Sequence, residues 1–171
     1  GVDASNFRVF SSHIPWSDKA IYWDAGNSGP SDRDRINFVE LDETKWEGAW
    51  NHYTFTKNVA TSTMKIYQNG ALLLTNTNMS RVLNPIVLFK LGSHNDGTTN
   101  YRGLIDEFNI SRVERPFRWV NLSYQNQKEN SNFLEFGPKE LITKPPILGI
   151  TQDNIIPKSF VTQVADGKGT M

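Results

Sequence analysis

The chain has 171 residues, 37% of them hydrophobic, and its eighteen basic and eighteen acidic side chains balance to a formal charge of zero. Such a length buries about 70% of its unfolded surface as one domain without help from a disulfide or a metal, and the charge balance removes the electrostatic footprint of a nucleic-acid or anionic-membrane binder. Cysteine is absent, which excludes disulfides and thiol chemistry but leaves the compartment open; no apolar run approaches the roughly 20 residues of a membrane-spanning helix, and no signal sequence is visible.

In chain order, Trp16 and Trp23 flank Ser17-Asp18-Lys19, and residues 24–35 read as a long polar loop that includes Asp24, Asp32, Arg33, Asp34 and Arg35. Glu40-Leu41-Asp42-Glu43 follows and reads as a solvated turn. Residues 50–57 form a strand pattern with Tyr53 and Phe55 on one face and Trp50, His52, Thr54 and Thr56 on the other. Aromatics on both faces mark an inner strand of a layered sandwich. Residues 64–74 read as a hairpin, because Asn69-Gly70 accepts the positive φ of a type I′ turn. Residues 86–91 alternate like a second inner strand. Next come a polar loop with His94, Asp96 and Tyr101 and a last strand at 101–110, in which Asp106 shares the apolar face with Leu104, Phe108 and Ile110. The pattern predicts two antiparallel sheets with Tyr53, Phe55, Ile66, Phe89, Leu91, Phe108 and Ile110 buried. Residues 115–127 suit one short helix, with Phe117, Val120 and Tyr124 at spacings of three and four and Pro116 in its first turn.

Catalytic constellations fail on spacing. Glu40 and Asp42 would share a strand face while Glu43 points to the other, and retaining glycoside hydrolysis needs two carboxyls about 5 to 5.5 Å apart across one bond. His13, His52 and His94 are scattered without metal-ligand spacing, and His52 reads as a half-buried, hydrogen-bonded imidazole. The chain is therefore read as non-enzymatic. An aromatic ring beside carboxylates, amides and guanidinium groups suits a glycan. Trp16, Trp23, Asp24, His94, Asp96 and Tyr101 are accordingly the candidate ligand-binding residues.

The order of a W-x-H strand (Trp50, His52), an N-G hairpin (Asn69-Gly70), an L-G-S loop (Leu91-Gly92-Ser93) and a G-x-I-D-E strand (Gly103, Ile105-Asp106-Glu107) resembles the laminin-G-like branch of the concanavalin A-like lectin/glucanase superfamily over about residues 6–127. Residues 8–35 and the R-x-x-x-W and Y-x-N-Q segments after residue 115 look like a variant from large bacterial surface and secreted proteins. The resemblance implies an all-β, antiparallel β-sandwich of jelly-roll, concanavalin A-like type with one short C-terminal helix, spanning residues 1–137 and lacking its first strands. Residues 138–171, with four prolines, follow as a tail or linker. It also implies that Asp106 either helps bind a structural calcium or is satisfied by backbone amides or Arg102; no cofactor is required.

Function follows the resemblance to the same depth. It implies a non-catalytic carbohydrate- or protein-binding (adhesion) module of a larger exported bacterial protein, located extracellularly or at the cell surface. Its partners would be a polysaccharide or a cell-surface protein, with no nucleic acid and no membrane insertion. The alternatives are a structural spacer or, distantly, a glycoside hydrolase. Strands missing from the front would leave an open sheet edge, covered either by residues 133–171 folding back or by a second chain in a homodimer.

Overall fold

The computed structural model describes residues 1–27, 32–94 and 97–128. Among these residues six strands form two three-stranded antiparallel sheets, each in sequence order. The first holds β1 (Phe10–His13), β2 (Ala20–Asn27) and β3 (Arg33–Val39); the second holds β4 (Tyr53–Asn58), β5 (Thr63–Gln68) and β6 (Ala71–Asn76). A 3-10 turn at Glu43–Lys45 lies between the sheets in sequence, and α1 (Phe117–Gln127) follows them. No helix among the described residues is long and apolar enough to cross a membrane.

Period-two alternation explains the core. Ile21, Trp23 and Ala25 of β2 and Ile36 of β3 turn inward and meet Met64 and Ile66 of β5, with Phe10, Phe38, Tyr53, Phe55, Leu73 and Leu74 packed around them. Polar ties cross the interface. The Trp23 indole N–H donates to the Thr56 carbonyl at 3.0 Å. Lys57 Nζ reaches Asp34 Oδ2 at 2.6 Å and also donates to the Met79 carbonyl. Both members of this ion pair are buried, and the Arg81 amide and guanidinium complete the shell of Asp34.

The Asn69-Gly70 turn is as the sequence predicts: both residues have positive φ, 50° and 75°, and Gln68 pairs with Ala71 across it. The helix α1 rests on this turn, its Asn121 amide donating to the Gly70 carbonyl and the Tyr124 ring covering the glycine. Val120 is its buried residue, and Pro116 stands one place earlier than predicted, at the N-cap.

A bulge between Ala25 and Asn27 places Gly26 at φ 78°, its amide bonded to the Val9 carbonyl. A Cβ built there would lie 2.4 Å from the Arg81 carbonyl oxygen. Gly26→Ala is therefore expected to lower stability by about 2–4 kcal/mol, from the left-handed backbone and the forced backbone shift together. Urea unfolding measures it, and an unchanged midpoint would refute the close approach.

Several predicted elements are corrected. Residues 24–35 are not one loop, since β2 runs to Asn27 and β3 starts at Arg33. The strand expected from residue 50 begins at Tyr53, leaving Trp50 exposed. Residues 86–91 and 101–110 are not strands: Val2 pairs with Leu88 and Ser93 with Asn100 only as isolated bridges. Tyr53 and Phe55 are half-buried and Ile66 is fully buried, but Phe89, Leu91, Phe108 and Ile110 are exposed. The physical reason lies in pairing. Alternation decides which side chains share a face, but a strand forms only against a partner, and the positive φ of Glu107 (51°) breaks the extended backbone beside Asp106. Asp106 itself is exposed rather than seated on an apolar face.

Candidate functional site

The outward face of the first sheet carries the polar half of the alternation. Register places His13 opposite Tyr22, and Asp24 opposite both Ser11 on β1 and Arg35 on β3. On this face His13, Tyr22 and Arg35, together with Arg8, Trp16, Asp18, Arg33, His94, Thr98 and Thr99, line an open cavity of about 370 Å³.

Asp24 organises it. Its side chain is 1% exposed, and its two oxygens accept from Arg35 Nε (2.6 Å) and Nη2 (2.7 Å), Arg8 Nη1 (2.8 Å) and Arg33 Nε (3.1 Å). Burial pushes this carboxyl up, but the Arg35 and Arg8 hydrogen bonds and the Arg35 and Arg33 charges outweigh it, so it titrates below the ordinary range. Arg35 is also braced from the side, its guanidinium 4.7 Å from the centre of the Tyr22 ring. The Tyr22 hydroxyl donates to Asp18 Oδ2 at 2.5 Å.

The β1–β2 turn sets the aromatic wall. Trp16 N–H donates to the Ala20 carbonyl and Lys19 N–H to that of Trp16, while Asp18 Oδ1 accepts the Ala20 amide. This fold brings the exposed Trp16 ring onto His13, with centroids 4.5 Å apart and planes 27° from parallel. Burial, and then the Arg8 charge, hold the His13 imidazole below its ordinary pKa, which favours the neutral ring.

Of the sequence candidates, Trp16 and His94 line this cavity, while Asp24 is buried outside the lining and holds the lining residues Arg8, Arg33 and Arg35. Trp23 does not belong: it points from the other face of β2 into the core, 5.5 Å from the Phe55 ring. Tyr101 is exposed and outside the lining, its amide bonded to the Gly92 carbonyl. Asp96 lies outside the described residues. Arg8 and Tyr22 escaped sequence reasoning as site residues. The available signal was the alternation of Tyr22 and Asp24 with Ile21, Trp23 and Ala25. His52 is likewise corrected: it is half-buried as expected, but its Nδ1 has no hydrogen-bond partner among the described residues, and the ring stands 6.2 Å from that of Tyr124. Burial lowers its pKa.

A laminin G family model, described as the Concanavalin A-like lectin/glucanases superfamily, matches residues 3–116. The chain belongs to this superfamily. The match takes in every residue lining the cavity and ends just before α1. Among solved structures, an S-layer domain-containing protein from Clostridium thermocellum is similar at 19% identity with a TM-score of 0.39; the alignment covers 72% of this chain and 59% of that one. No curated protein matches.

Two chemistries of the superfamily can be held against the residues present. Its glycosidases need paired carboxyls, whereas Glu40 Oε1 accepts the Asp42 amide and Glu43 pairs with Lys19. Both glutamates lie after β3 and neither lines the cavity. Its structural calcium needs six to eight oxygens. Asp106 is exposed with one oxygen accepting the Glu107 amide, and among the described residues no three histidine or acidic side chains converge. Among the described residues, Asp106 has no acidic cluster around it to supply that set.

Proposed function

We propose that the chain is a non-catalytic carbohydrate-binding module of a larger exported bacterial protein, acting at the cell surface or outside the cell, with the cavity on the β1–β2–β3 sheet as its binding site. The observation that carries this reading is the juxtaposition of an exposed Trp16–His13 stack with a wall of hydrogen-bonding groups from Asp18, Tyr22, Arg33, Arg35 and Thr99. A pyranose presents an apolar face to an aromatic ring and hydroxyls to such groups, and a cavity of about 370 Å³ falls within the range of small-ligand sites. Membership of a superfamily that contains lectins supports the class of ligand, and the position of Glu40 and Glu43 favours binding over hydrolysis.

The test is a polysaccharide array followed by titration of any ligand found. Trp16→Ala is expected to weaken binding by about tenfold while leaving stability within about 0.5 kcal/mol, since the ring is largely on the surface. Absence of any polysaccharide ligand, or one bound equally by the variant, would remove this reading.

A further inference from the structure

We propose that the cavity selects sugars bearing a carboxylate, that is, uronic acids, and that Arg33 is the residue that reads the charge. This inference rests on the carbohydrate-binding reading and narrows it.

The basis is the way donors are distributed around Asp24. A carboxylate offers about four lone-pair sites, and Asp24 already accepts four N–H groups, two from Arg35 and one each from Arg8 and Arg33. Arg35 uses both Nε and Nη2 on it, whereas Arg33 gives only its Nε. The Nη1 and Nη2 groups of Arg33 therefore have no partner among the described residues, and the side chain lines the cavity with 24% of its surface open. A guanidinium edge with parallel N–H groups matches a planar carboxylate in a bidentate pair.

Charge points the same way. The chain as a whole is neutral, but three guanidinium groups meet here against the carboxylates of Asp24 and Asp18. Asp18 is itself engaged by the Tyr22 hydroxyl and the Ala20 amide. The excess is fixed in place before a ligand arrives, because the buried Asp24 holds the arginines and the Tyr22 ring braces Arg35. Little ordering remains to be done on binding.

The experiment titrates the full chain with polygalacturonate, with the same polymer fully methyl-esterified, and with dextran sulfate as a source of charge without carboxylate. Polygalacturonate is expected to bind about tenfold more tightly than its ester. Arg33→Gln should erase that preference by weakening the acid about tenfold more than the ester, and Arg33→Lys should restore it only in part, because an ammonium cannot form the paired contact. The proposal fails if acid and ester bind alike, if Arg33→Gln weakens both equally, or if dextran sulfate binds and polygalacturonate does not. Binding of neutral polymers alone, dependent on Trp16, would overturn the acidic-sugar inference and keep the carbohydrate reading. No binding of any polymer would overturn both.

Discussion

Trp23→Ala is expected to destabilise the protein by about 3–5 kcal/mol, the range for removing a large buried aromatic. The residue is 9% exposed, packs against Phe10 and Phe55, and ties the two sheets together through its indole N–H and the Thr56 carbonyl. Trp23→Phe keeps most of the packing and loses the hydrogen bond, so about 1–2 kcal/mol is expected from it. Urea unfolding separates the cases, provided the slope of the transition is the same for all three proteins. If Trp23→Ala kept full stability and lost polysaccharide binding instead, Trp23 would be a platform after all and the inward orientation of its ring would be wrong.

Asp24→Asn is expected to cost about 2–3 kcal/mol near neutral pH. The substitution keeps the shape but turns an amide toward three guanidinium groups. Breaking a buried ion pair costs about 3–5 kcal/mol, and the figure here is lower because the arginine side chains, 24–37% exposed, can swing toward water. The pH dependence carries the sign. The folded pKa of Asp24 lies below its ordinary 3.8, so its stabilising contribution is fully present above that value and disappears as pH falls through the folded value. The difference between wild type and variant should therefore be present above about pH 4 and shrink as pH falls through the folded value of Asp24. Glu114, also held below the ordinary range against its burial by hydrogen bonds from Lys65 and Asn58, weakens both proteins over the same acid window and cancels in the comparison. A difference that stays constant down to pH 2 would show that the charge of Asp24 is not what the arginines hold.

What was legible in the sequence divides by the range of the interaction. The Asn69-Gly70 hairpin and the helix at 117–127 rest on neighbours in the chain, on turn chemistry in the first case and on spacings of three and four in the second, and both are found in the structure. The two-sheet architecture and the superfamily also follow from ordered local motifs. Phe89, Leu91, Phe108 and Ile110 show the opposite. Their alternation is as regular as that of β2, yet nothing in it says whether another strand will lie alongside, and they remain exposed. The site divides the same way. Trp16 and His94 were visible as an aromatic and an imidazole in polar turns. The choice between the two faces of β2, which sends Trp23 to the core and Asp24 to the arginine cluster, depends on a pairing register that the residues taken one at a time do not reveal. The arginines at 8, 33 and 35 become one cluster only when three strand regions lie side by side.

The order of strands within the sheets bears on how the chain finds this arrangement. Within each sheet every strand pairs with its neighbour in sequence, so these pairing steps close short loops, and loop-closure entropy grows only slowly with length. The long-range part of the search includes the meeting of the two hairpin stacks, sealed by Trp23 with Thr56, 33 positions apart, and by Asp34 with Lys57, 23 apart. Contacts of still longer reach, Val2 with Leu88 and Lys65 with Glu114, tie the flanking segments in, so the contact order is spread over more than one closing step.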